Sequence, residues 1–144
     1  MSGAVIYSYL NEMTSRNATD LYLTVGAPPT LRILDQLHPL SAPPISEEDM
    51  KAMLGEVLTP RQRNEFNTKM ELNMALDTGN GNRFRVNVLR QRQHAAMVIR
   101  WITSKIPTFE ELRLPPVTEK LVLEKRGLIL VCGITSSGKS TTLA

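Results

Sequence analysis

The chain has 144 residues, enough for one domain, or for one small domain and a piece of another. Its formal net charge of +3 is a mild basic balance that permits anionic partners without requiring one. The single cysteine, Cys132, excludes a disulfide framework and cysteine zinc spacing. No apolar run reaches membrane-spanning length or follows a basic flank as a signal peptide would, so a reducing, cytoplasmic setting is expected.

Val5, Ile6, Tyr9, Leu10 and Met13 recur at helical spacing and predict an amphipathic helix over 3–16, stopped at Asn17. Strands are predicted over 21–25 and 30–34, with the Gly26-Ala27-Pro28-Pro29 turn between them and a short third strand over 36–40. Asp20 reads as a turn or cap residue, with a carboxylate in a site as the alternative. Ser46 and Asp49 make a capping-box start, and Met50, Met53, Leu54 and Val57 then share one helical face. Thr59, Pro60 and Gln62 start a further helix whose Phe66 and Met70 face the core.

Leu72, Met74 and Leu76 alternate with polar residues as a half-buried strand does. Asn80-Gly81 marks a hairpin, and the returning strand puts Phe84, Val86 and Val88 on one face and Arg83, Arg85 and Asn87 on the other. A last strand runs over about 95–102, in which Arg100 interrupts an apolar run. By pattern alone, the arginines at 83, 85, 90 and 92 read as a solvated polar face. Trp101 reads as core or interface packing, and the methionines at 50, 53, 70 and 74 as core. His38 and His94 stand without neighbours at metal-ligand spacing.

Thr108 and Glu111 can cap a short helix, Pro115-Pro116 breaks the chain stiffly, and 117–125 reads as a helix ended by Gly127. These features place an α+β domain at 1–104, a linker at 105–116 and the start of a second domain at 117–144. Within the last segment, 128–132 reads as a buried strand, with Cys132 a buried small hydrophobe. Directly after it, 133–140 fits the phosphate-loop pattern G-x-x-x-x-G-K-[ST]. Gly133 and Gly138 let backbone N–H groups approach phosphate oxygens, and the helix that follows points its positive end the same way. Lys139 is placed for the β/γ-phosphates and the Ser140 hydroxyl for Mg²⁺. The candidate nucleotide ligands are therefore Gly133, Ile134, Thr135, Ser136, Ser137, Gly138, Lys139, Ser140 and Thr141. The bland alternative is a Gly/Ser-rich turn between strand and helix.

Four segments together resemble the type IV pilus retraction ATPases, the twitching-motility branch of the secretion-ATPase family. Ala18-Thr19-Asp20-Leu21-Tyr22-Leu23 with Gly26-Ala27-Pro28-Pro29 is similar to an early family signature. Arg83-Phe84-Arg85-Val86-Asn87 is similar to a family strand, Ile106 to Leu112 to its linker, and Arg126 to Thr142 to its strand and phosphate loop. The segment from Ile106 leans toward the accessory retraction paralogue. The family loop usually carries proline and glycine where Ile134 and Ser136 stand here, which bears on loop stiffness and nucleotide affinity.

The resemblance implies a PAS-like N-terminal domain with an antiparallel sheet and helices. After it would come the truncated start of a RecA-like α/β ATPase domain, holding its first strand and phosphate loop only. It implies a hexameric motor that uses ATP and Mg²⁺ to power pilus retraction. Its subunits would assemble with themselves or with a paralogue. They would work in the bacterial cytoplasm at the inner-membrane face of the pilus machinery, peripheral to the membrane at most. It further implies Arg85 and Arg100 as phosphate ligands beside Lys139 in catalysis. The acidic Mg²⁺ residue, the catalytic glutamate and the histidine motif of the family would lie past Ala144, so this chain alone is expected to be inactive.

Two other readings stay open. The first domain could serve as a non-enzymatic oligomerisation or interaction module, with exposed 128–131 driving self-association. The arginine-rich hairpin could bind nucleic acid, but it lacks the interleaved aromatics of a stacking platform, so no specific nucleic-acid partner is expected.

Overall fold

Helix α1 (Val5–Ser15) buries Ile6, Leu10 and Met13, the residues whose spacing predicts it. Asn17, at φ 51°, turns the chain out of the helix. Strands β1 (Asp20–Thr24), β2 (Thr30–Ile33) and β3 (Gln36–Pro39) follow as an antiparallel run. Helices α2 (Glu47–Val57) and α3 (Pro60–Lys69) each begin at a capping box. In the first, the Asp49 N–H donates to Ser46 Oγ (3.0 Å) and the Ser46 N–H donates to the Asp49 carboxylate (3.1 Å). Strands β4 (Glu71–Asp77), β5 (Arg83–Gln91) and β6 (His94–Ile102) complete the first compact unit, Met1–Thr103. The structure is a computed structural model and describes residues 5–103, 107–134 and 137–143.

The six strands form one antiparallel sheet in the order β3-β2-β1-β6-β5-β4. The pairing of β1 with β6 sets Leu21 opposite Ile99 and Asp20 opposite Arg100, residues separated by most of the unit's length. Strand alternation then divides the sheet into two faces. Leu21, Leu23, Phe84, Val86, Val88, Met97 and Ile99 lie on one face and pack with Ile6, Leu10, Met13, Met50, Met53 and Phe66 of the helices into a single core. The other face carries Asp20, Tyr22, Arg85, Asn87, Val98 and Arg100 in register across three strands.

The second unit, Ser104–Ala144, holds the short helices α4 (Val117–Val122) and α5 (Lys139–Leu143). The expected cap at Thr108 and Glu111 forms both its hydrogen bonds (3.1 and 3.2 Å), yet it closes only one turn, which Arg113 ends at φ 52°. The expected strand over 128–132 carries no ladder. Leu128 is 82%, Ile129 54% and Leu130 73% exposed. A strand needs hydrogen-bonded neighbours, and a parallel one needs layers on both faces; no strand stands beside it among the described residues of this unit. Cys132 is accordingly exposed rather than buried. Met70 also departs from the expectation, because at φ 60° it forms the left-handed cap of α3 and is half exposed, whereas Phe66 is buried.

Candidate functional site

The open face of the sheet brings arginines together in one cross-strand row. Register sets Arg32 opposite Asp20, Asp20 opposite Arg100, and Arg100 opposite Arg85. The Asp20 carboxylate accepts from Arg100 Nε (2.8 Å) and from the Thr19 hydroxyl (3.0 Å). The pair is asymmetric: the Asp20 side chain is 4% exposed and that of Arg100 is 64%. Arg32 is engaged by Asp35 (2.9 Å). Its hydrogen bond with the Tyr22 side chain, and then the Asp35 charge, raise the guanidinium above its ordinary value. Arg85 is exposed and has no ion-pair partner among the described residues.

Like charges directly opposite on neighbouring strands repel. Arg85 and Arg100 are such a pair, and Asp20 compensates only one of them. A depression of about 270 Å³ lies over this row, lined by Asp20, Asn73, Arg85, Asn87, Val98 and Arg100 among others. Chemically, it is a shallow surface with an uncompensated guanidinium, suited to an anion with planar or bidentate oxygens.

Asp20 is where the sequence reading needs correcting. It opens β1 in the outward phase shared by Tyr22 and Thr24, and it serves as the buried partner of Arg100 rather than as a turn or cap. Its outward phase was readable from the alternation in β1. Its partner was not, because the register with a strand 80 positions away is set by the assembled sheet.

The phosphate-loop pattern lies in the second unit. A side chain at Gly133 would meet Ser137 Oγ at 2.6 Å, so it would require the Ser137 hydroxyl to turn away. Gly138 sits at φ 87°, a conformation glycine adopts without strain, and α5 begins at the next residue. Lys139 Nζ donates to the Ile134 carbonyl and approaches Ser137 Oγ (3.5 Å), so the ammonium lies against the inside of the loop. The Thr142 N–H donates to the Gly138 carbonyl (2.9 Å) as the first helical bond after the loop. Ser140 and Thr141 are exposed on this helix. Thr135 and Ser136 lie outside the described residues. A lysine folded back onto the Ile134 carbonyl and a hydroxyl on the first helical turn are groups of the kind a nucleotide site uses.

His94 Nδ1 stands 3.0 Å from Glu47 Oε1, a contact its sequence neighbours do not announce. Among the described residues, no group of histidine, cysteine and carboxylate side chains could hold a metal, and no helix is long and apolar enough to cross a membrane.

No protein-family profile matches the chain. It is 38% identical over 135 residues to the type IV pilus ATPase PilU of Pseudomonas aeruginosa, covering 94% of this chain and 35% of that protein. It is 36% identical over 129 residues to the type IV pilus retraction ATPase PilT of the same organism, covering 90% of this chain and 38% of the relative. The crystal structure of the pilus retraction motor PilT with bound ADP superposes with a TM-score of 0.76 at 34% identity, over 96% of this chain and 40% of that one. The chain thus spans well under half the length of the relatives it matches. Over most of its own length it is homologous to the type IV pilus retraction ATPases PilT and PilU.

Proposed function

We propose that this chain is the N-terminal portion of a pilus retraction ATPase. In this reading, residues 1–104 are a PAS-like domain, 105–116 a linker, and 117–144 the opening of a RecA-like ATPase domain. The whole protein would be a cytoplasmic hexamer at the inner-membrane face of a pilus machine, hydrolysing Mg·ATP to drive retraction. One observation carries this reading: Lys139, after a phosphate-loop pattern, folds back onto the Ile134 carbonyl in a chain 38% identical to a pilus ATPase.

The roles follow from the side chains. Backbone N–H groups of 134–138 would cradle phosphate oxygens, and the Lys139 ammonium would balance their charge. The Ser140 hydroxyl would ligate Mg²⁺, whose chemistry is to neutralise charge between the outer phosphates. Arg85 and Arg100 would contribute guanidinium groups to the charge that develops in phosphoryl transfer. Asp20 would hold Arg100 in place until a phosphate competes for it.

The 144-residue chain should show no ATP turnover above background, because among the described residues of 104–144 no parallel strand stands beside the loop to hold it. In the complete protein, Lys139→Ala should abolish both turnover and pilus retraction. Turnover by the 144-residue chain that Lys139→Ala abolishes would refute this reading.

A second reading has its own support. Leu128, Ile129 and Leu130 form an exposed apolar run, which favours self-association and an interaction module without catalysis. Light scattering at rising concentration distinguishes the two: a clean monomer throughout counts against the module.

A further inference from the structure

On the helix side of the sheet, α2, α3 and the β5–β6 turn enclose a cavity of about 360 Å³. That volume falls at the lower end of the range for small-molecule sites, roughly 300–1,000 Å³. Its floor is apolar, made by Met50, Leu54, Leu58 and Phe66. Its rim is cationic, with Lys51, Arg63 and Arg90 all contributing to the lining. Arg63 is fixed there, because its Nε donates to the Leu58 carbonyl (3.2 Å) and its Nη2 to the Gly55 carbonyl (2.9 Å). The Arg90 guanidinium lies 5.8 Å from the centroid of the Phe66 ring. The carboxylate on this lining, Glu47, is already engaged by His94 at 3.0 Å.

Gly55 adds an independent observation. It stands inside α2, where alanine is the better helix former. A Cβ there would meet only Arg63 Nη2, at 3.9 Å, an ordinary contact. Neither an unusual φ nor crowding explains the glycine, and its missing side chain leaves the cavity wall open.

We propose that this cavity binds a small amphiphile carrying one anionic headgroup on an apolar body. Three permanent cations, Lys51, Arg63 and Arg90, outnumber the one carboxylate of the lining, Glu47, so the rim carries net positive charge above an apolar floor. A guanidinium suits the oxygens of a carboxylate or phosphate, and the apolar floor suits an alkyl or aromatic body. A soluble metabolite and the headgroup of an anionic lipid share this chemistry. The site uses none of the residues assigned to nucleotide, so it stands or falls separately from the ATPase reading.

The test is an NMR titration of the 144-residue chain, following amides of 50–67 and 90–95. The probes are octyl phosphate below its micelle concentration, octanol, inorganic phosphate, and vesicles of phosphatidylglycerol in phosphatidylcholine. Octyl phosphate should shift these amides, with octanol and phosphate at least about tenfold weaker. Lys51→Gln, at an exposed residue, should weaken binding about tenfold in combination with Arg90→Gln. Gly55→Leu should fill the wall, keep a dispersed spectrum and abolish binding. Shifts with vesicles but not with octyl phosphate would assign the lipid as the source. Silence of these amides with both probes, equal affinity for octanol, or undiminished binding by Gly55→Leu would overturn the proposal.

Discussion

Asp20 and Arg100 share one ion pair but differ in what each loses without the other. Arg100 is largely solvated, so Asp20→Ala frees a cation that water accepts, and about 1 kcal/mol should be lost. Arg100→Ala instead leaves a buried carboxylate that, among the described residues, keeps the Thr19 hydroxyl as its remaining side-chain donor, and about 2 kcal/mol should be lost. Urea unfolding of the two variants checks this order; equal losses would mean the carboxylate finds water when the arginine leaves. Asp49 makes a prediction about pH. Hydrogen bonds from Ser46, side chain first and backbone second, hold its carboxyl below the ordinary value of 3.8. The support this gives α2 is therefore complete above that value. It disappears as pH falls through the lower folded value. The Asp49 side-chain carboxyl signal should titrate with a midpoint below 3.8, and a midpoint at or above that value would mean the Ser46 hydrogen bonds do not hold the charged form.

Among the elements, the β2–β3 turn is the weakest join between residue type and conformation. Leu34 and Asp35 occupy φ 48° and 63°, the twist a two-residue hairpin requires, and Leu34 is 91% exposed. Leucine resists that conformation and here buries nothing in return. Leu34→Asn should stabilise the chain by roughly 0.5–1 kcal/mol, read as a rise in the thermal midpoint. The opposite holds at α3, where Thr59 and Gln62 satisfy each other's backbone groups. Thr59→Ala should cost about 1 kcal/mol, with the loss in helix content confined to 60–69.

At the scale of the molecule, the two units differ in how their backbone is satisfied. In Met1–Thr103 the sheet is laddered from edge to edge and one face is sealed by helices. In Ser104–Ala144 the apolar run before the phosphate loop has no ladder. Hydrogen exchange should therefore be slow at Val86 and Ile99 and immediate over 128–132 in the 144-residue chain. In a longer protein with further parallel strands, the same 128–132 amides should become protected. Protection in the short chain would mean that the run is already paired.

The local part of this architecture was legible in the residues alone. Capping boxes at Ser46 and Thr59, the Asn80-Gly81 hairpin and the alternation along β5 each depend on neighbours within a few positions, so their spacing settles them. The phosphate-loop pattern at 133–140 is local in the same sense, since all its defining residues fall within eight positions. What no window could contain is register. The row of Arg32, Asp20, Arg100 and Arg85 exists because β1 pairs with both β2 and β6, and a shift of one residue would send every member to the core. Burial of 128–132 was misread for a related reason: hydrophobicity states that a segment favours an interior, but neighbouring strands must supply one. Sequence thus determined the turns and caps, which depend on near neighbours, whereas tertiary pairing decided which charges meet and which apolar residues are covered.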